Sequence, residues 1–195
     1  MDHTLLPLVE GQSEVAGLPI LLRRLLALLD HPSVQVARPF RIHRTKIKQD
    51  GEIERAIVQG LRSRKAVTGI VVVVDADDDD PAEIEELLRS QCGRATHLPV
   101  AVAAATRELE GWFLGAKESL RGFRSIRGDA KNPEYPETIR GAKERLSKNM
   151  KDGRTYIEVD DQPAFAEKLD LQMALERCPS LQRLARSLQD LLAGG

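Results

Sequence analysis

The chain has 195 residues, 42% of them hydrophobic and 30% charged, which suits one sizeable core and is short for two full domains. Lysine and arginine number 29 against 30 aspartate and glutamate, so net charge excludes the strongly basic class of nonspecific DNA binders and leaves any polyanion contact to local clusters. Cys92 and Cys178 lack metal-finger or redox spacing, and no export leader or membrane-length apolar run is visible, so a soluble cytoplasmic protein is expected.

The first element is a short apolar run, Leu5 to Val9, ending at Glu10-Gly11: a buried strand and a tight turn. Ser13 is positioned to cap a helix with leucines 18, 21, 22, 25, 28 and 29 at helical spacing, stopped by Asp30-His31-Pro32. Val34 to Phe40 alternates like a second strand, and Asp50 opens a helix with Ile53, Ala56, Ile57 and Leu61 on its apolar side. Ile70 to Val74 is apolar on both faces, as a central parallel strand covered by helices requires, and it stops at Asp75. Asp80-Pro81-Ala82-Glu83 has the form of a capped helix start. Leu98 to Ala105 predicts a fourth strand, and Thr106 a cap for the helix that follows. Prolines 133, 136, 163 and 179 and Gly153 then punctuate a helical remainder, including one helix running to about Met150. Alternating strands and helices predict a doubly wound, mainly parallel four-stranded sheet with helices on both faces, residues 1–150, and a helical C-terminal extension, residues 151–195.

Ligands of open parallel sheets collect beyond the carboxyl ends of the strands, where Glu10 and Asp75 fall. Asp77 lies two residues past Asp75 and Glu14 one helical turn past Glu10, so four carboxylates can converge. Their mutual repulsion calls for a hard, oxygen-seeking cation such as Mg²⁺ or Mn²⁺, with phosphate as its natural further ligand. Asp78 and Asp79 read as solvated loop and Asp80 as a helix cap.

The run Val9-Glu10-Gly11-Gln12-Ser13-Glu14 resembles the opening glutamate motif of Toprim domains, and Val71 to Asp77 resembles their strand and D-x-D motif. With Glu108 to Leu114, E-x-E-x-W-F-L, the set is similar to an uncharacterised Toprim-like bacterial domain-of-unknown-function family (4276 type), related to the Toprim domains of the overcoming-lysogenisation-defect (OLD) nucleases. The resemblance covers most of residues 5–150. It implies Glu10 as metal-linked acid/base, Asp75 and Asp77 as ligands, Glu14 as a helper and Glu108 or Glu110 as a further carboxylate. It also implies a late lysine that stabilises the transition state, for which Lys143 is the best placed. Trp112 reads as core. The implied activity is metal-dependent phosphodiester cleavage, in a setting beside ATPases of the ABC or AAA type, some of them in phage defence.

Arg41, Arg44, Lys46 and Lys48 offer phosphate contacts after the second strand, with DNA favoured over RNA as substrate; Arg121, Arg124 and Arg127 form a second basic stretch. Tyr135 and Tyr156 lack the separate nucleophile domain of a topoisomerase, and the sequence has no P-loop of its own. Two other classes compete. A noncatalytic adaptor would use the fold, and leucines such as Leu184 and Leu188, to bind the ATPase. A receiver domain would place an acid pair after the first strand, where this chain has Glu10-Gly11.

Overall fold

The computed structural model describes residues 3–64 and 66–194. Its strands are β1 (Thr4–Val9), β2 (Gln35–Val36), β3 (Phe40–Arg41), β4 (Gly69–Asp75) and β5 (Val100–Ala105). Its helices are α1 (Gln12–Leu28), α2 (Arg44–Ile47), α3 (Glu52–Arg62), α4 (Pro81–Ala95), α5 (Glu110–Gly115), α6 (Ala142–Ser147), α7 (Glu158–Lys168), α8 (Leu171–Arg177) and α9 (Pro179–Ala193). Every pairing among the described strands of the sheet is parallel, in the order β2-β1-β4-β5, with β3 also on β1.

The second strand is not the single element that its alternation suggests. β2 pairs with Thr4 and Leu5, β3 with Leu8 and Val9, so five strand segments fill the four expected positions. Pro39, which has no N–H to give a ladder, lies in the interruption. The same gap accommodates Pro7. Leu5 and Val9 accept from Ala37 and Ile42, so odd-numbered residues of β1 turn their backbone toward this edge, and Pro7 falls between the two registers.

Side chains alternate across the sheet, and both sets are apolar. Leu5, Val9, Val71, Val73, Ala101 and Ala103 join a core with α1 and the helices after β5; Leu6, Leu8, Ile70, Val72, Val74 and Val102 join another with α3 and α4. That is the doubly wound arrangement, and it is why the strands read as unbroken hydrophobic runs. α7 packs along α1 and α9 against β5. Gly17 of α1 permits the first approach, since a Cβ there would lie 2.8 Å from Gln162 Oε1 of α7.

Two local starts differ from expectation. α1 begins at Gln12 with Gly11 as its cap, because Glu14, rather than Ser13, reaches back to the free backbone N–H groups. α5 begins at Glu110, while Thr106 donates its hydroxyl to Glu137 instead of capping. The long helix expected before Met150 is one short helix, α6, entered through Gly141 at φ 64°.

After β1 the chain moves to one side for β2 and β3, then crosses to the other for β4. Strand order therefore reverses between β1 and β4, and the crevice beyond their carboxyl ends is where this architecture collects ligands.

Candidate functional site

Glu10 follows the last residue of β1 and Asp75 is the last residue of β4, so the parallel pairing itself sets them side by side at the reversal. The Asp75 N–H donates to Glu10 Oε1 at 3.3 Å. Glu14 returns over the first turn of α1, where its Oε2 accepts from the N–H groups of Glu10 (3.1 Å) and Gly11 (3.3 Å). A Cβ on residue 11 would stand 2.8 Å from Glu14 Oε1, so the glycine of the E-G-x-S-E run keeps that return open. Asp75 Oδ1 accepts from the Leu109 N–H at 2.8 Å, which ties the end of β4 to the segment leading into α5.

Burial and crowding act on all three. Burial first, then the charge of Glu14, pushes Glu10, only 6% exposed, up to about 7. Burial raises Glu14 despite its two backbone donors. Burial, then Glu14, Glu110 and Glu10, raises Asp75 well above the usual carboxylate range.

Behind them stands a second group. Glu110, 2% exposed, accepts from the Tyr156 hydroxyl (3.1 Å) and from Gln162 (3.4 Å), and burial pushes it up to about 7. Lys143 of α6 pairs with Glu158 at 2.8 Å. Burial works against the Lys143 charge, but Glu110, Glu158 and Asp75 outweigh it and hold the ammonium protonated above its ordinary range. The structure thus brings Glu10, Glu14, Asp75, Glu110 and Lys143 into one electrostatic neighbourhood. Glu108 stands to the side: one oxygen accepts from the Ala142 N–H at the start of α6, and its side chain lines a depression of about 150 Å³ with Asp77, Asp78, Arg107, Arg140 and Gly141.

Asp77 sits at φ 55°, a left-handed turn that aims its carboxylate at Arg44. Arg44 also lies 4.0 Å from Glu10 Oε2, so one guanidinium spans the acids of β1 and β4. The donor chemistry fits a hard divalent cation, since Glu10, Glu14, Asp75 and Asp77 all offer carboxylate oxygens. Among the described residues, however, no three His, Cys, Asp or Glu side chains meet in ligating geometry. Asp77 is turned onto Arg44 and Asp75 onto the Leu109 N–H.

The other basic candidates are spread out. Lys48 pairs with Asp79 at 2.7 Å, Arg41 donates to Gln12 at 2.9 Å, and exposed Lys46 lines a groove with Phe40 and Ile42. Arg121, Arg124 and Arg127 are engaged by the Ala130 carbonyl, Asp161 and Asp129, and serve the local fold. Sequence reasoning missed Tyr156 and Glu158, which reach the site from α7 and the turn before it, and Arg107 and Arg140. Glu158 gave no separate signal, because acids in a first helical turn, here with Asp160 and Asp161, are common for the helix dipole alone.

These raised carboxyls predict a pH trend in stability. Glu10 and Glu110 hold protons in the folded chain that they release on unfolding at pH 5–7, so their contribution is fully present below about 4.5 and lost as pH climbs through about 7. A group shifted that far contributes up to about 3 kcal/mol. Glu110→Gln keeps an acceptor for Tyr156, so its melting temperature is expected to fall less than that of the wild type between pH 5 and pH 8; an equal fall would exclude Glu110 as a source.

Among the described residues no helix is long and apolar enough to cross a membrane. The profile of a domain of unknown function (DUF4276) matches residues 9–189. No curated protein matches. Two solved structures of the C-terminal region of the OLD protein of Xanthomonas campestris pv. campestris, phased with mercury and with iodine, are similar at TM-scores of 0.44 and 0.43. Each has 14% sequence identity, over 97% of this chain and 96% and 95% of theirs.

Proposed function

The chain belongs to the DUF4276 family, whose match takes in the acidic crevice from Glu10 to Glu158, and from that premise we propose that it is a Mg²⁺- or Mn²⁺-dependent phosphodiesterase of Toprim type that acts on nucleic acid, DNA before RNA, beside a partner ATPase in a defence or DNA-processing system. The observation that carries this reading is the juxtaposition of Glu10 and Asp75, through the 3.3 Å hydrogen bond, at the point where strand order reverses. Four carboxylates at such a point, three of them driven toward protonation, are costly for the fold and favour a cation that neutralises them.

Glu10, Asp75 and Asp77 would hold the metal, with Glu14 fixing the turn that presents Glu10. A bound divalent ion supplies an activated water and neutralises charge on the phosphoryl and leaving oxygens. Glu10, at about 7, is matched to take a proton from water at neutral pH. Lys143 keeps its charge throughout and offers it to an anion above Glu110 and Asp75. Glu110 and Glu158 position that ammonium, and Tyr156 orients Glu110. Arg44 must leave Asp77 for the acid to become a ligand, and once free it faces the same crevice as the substrate phosphates.

The paired state of Asp77 favours a second reading, a noncatalytic adaptor for the ATPase in which Arg44 permanently neutralises the acids. Calorimetric titration with Mn²⁺ separates the two. The phosphodiesterase reading expects binding to the wild type and none to Asp75→Asn/Asp77→Asn with the fold intact. Absence of binding to the wild type would sink it and leave the adaptor.

A further inference from the structure

Three consecutive carboxylates after β4 are each held by cations from elsewhere in the chain. Asp77 is paired with Arg44, Asp78 with both Arg107 (2.5 Å) and Arg140, and Asp79 with Lys48 (2.7 Å). The cations come from three separate segments: α2 and its cap, the residues just after β5, and the loop that enters α6. The turn is further shaped around them, since Arg107 also donates to the Asp77 carbonyl at 2.8 Å. A metal site needs only Asp77 from this run. Asp78 and Asp79 are 65% and 63% exposed, so as ion pairs they contribute little to stability. Their charge is set against that of Lys48, Arg107 and Arg140.

We propose that Asp78 and Asp79 act as an internal stand-in for a phosphate backbone: Arg44, Lys48, Arg107 and Arg140 form one binding surface for a nucleic-acid strand, and the acidic turn occupies it until substrate phosphates displace the two carboxylates. This rests on the reading above and specifies its substrate contact. Arginine forks and a lysine point charge are the groups that grip phosphate oxygens without reading bases. Arg140 and Arg107 also line the depression of about 150 Å³ beside Asp77, Asp78 and Glu108, a volume that has room for one phosphate. A strand that enters must replace the carboxylates one for one, so binding is weakened for weak polyanions and kept for a continuous backbone.

The test is fluorescence anisotropy of a labelled DNA oligonucleotide with the full chain in EDTA, where no metal chemistry contributes. Asp78→Asn/Asp79→Asn, which keeps shape and removes charge, is expected to bind about tenfold more tightly than the wild type. Lys48→Ala/Arg140→Ala is expected to bind about tenfold more weakly, with the slope of affinity against salt reduced by about 1 for each charge removed. Unchanged or weaker binding by Asp78→Asn/Asp79→Asn, with a lowered melting temperature, would overturn the proposal and make the turn a structural lock. The outcome is separable from the nuclease reading: tightening without Mn²⁺-dependent cleavage supports the surface and fails the enzyme, whereas cleavage without tightening does the reverse.

Discussion

Asp75→Asn is expected to lower Mn²⁺-dependent cleavage of nucleic acid by about 10²- to 10³-fold while leaving the protein folded and more stable above pH 7. The substituted amide still offers an oxygen to the Leu109 N–H, so the link from β4 to α5 is kept. Only the charge is lost, and that charge is buried against Glu14, Glu110 and Glu10, which is why the carboxyl is held well above its usual range. Relieving the repulsion should raise the melting temperature at pH 8 by a few degrees, at about 2–4 °C per kcal/mol for a chain of this size. Single-turnover cleavage and thermal melts on the same preparation check both halves. An unchanged rate would remove Asp75 from the reaction. A lower melting temperature would mean that the carboxylate stabilises the fold through contacts rather than straining it through charge.

The largest loss of stability is expected away from the crevice, at Glu137→Ala. Glu137 is buried, and its two oxygens gather the Trp112 indole N–H (3.1 Å), the Ser180 N–H (3.0 Å), the Ser180 hydroxyl and the Thr106 hydroxyl (3.3 Å). One carboxylate therefore joins the end of β5, α5 and the start of α9. Alanine would leave the buried Ser180 N–H and hydroxyl without this acceptor, while the Trp112 indole keeps only Ser180 Oγ (2.7 Å), and would open a cavity beside the fully buried Trp112, at a cost of about 3–5 kcal/mol in all. The midpoint of thermal unfolding should fall by roughly 10 °C, with a parallel shift in urea. A fall corresponding to less than about 1 kcal/mol would show that the helices after β5 hold to the sheet without this carboxylate, through apolar packing and contacts such as Arg183 to the Ala104 carbonyl (3.1 Å). Because α9 packs directly on β5, local loosening there should be visible in hydrogen exchange before global unfolding.

The strands and the acids at their ends were legible because both follow short-range rules. Ile70 to Val74 could be read as a central parallel strand from five apolar residues in a row, since a strand covered on both faces has no polar side to show. Glu10 and Asp75 could be paired before any contact was known, because parallel strands end at the same edge of a sheet and ligands gather where their order reverses. Trp112, expected as core rather than site, is fully buried.

Other features depended on groups that meet only after folding. That Pro7 is tolerated in a central strand depends on where Pro39 interrupts the neighbouring one, a register relation more than thirty positions apart in sequence. Glu158, one of three acids in the first turn of α7, carries no signal of its own in the sequence, and only the packing of α7 on α1 sets it against Lys143. Asp78 and Asp79 looked like solvated loop, because nothing local says that Arg107, Arg140 and Lys48 will converge on them. The sequence by itself determined the alternating architecture, the apolar sheet and the position of the acids, all of which follow from backbone periodicity and hydrophobic pattern. Only the tertiary structure decided which charge meets which, because the energy of an ion pair depends on distance and burial through space, and neither is encoded in spacing along the chain.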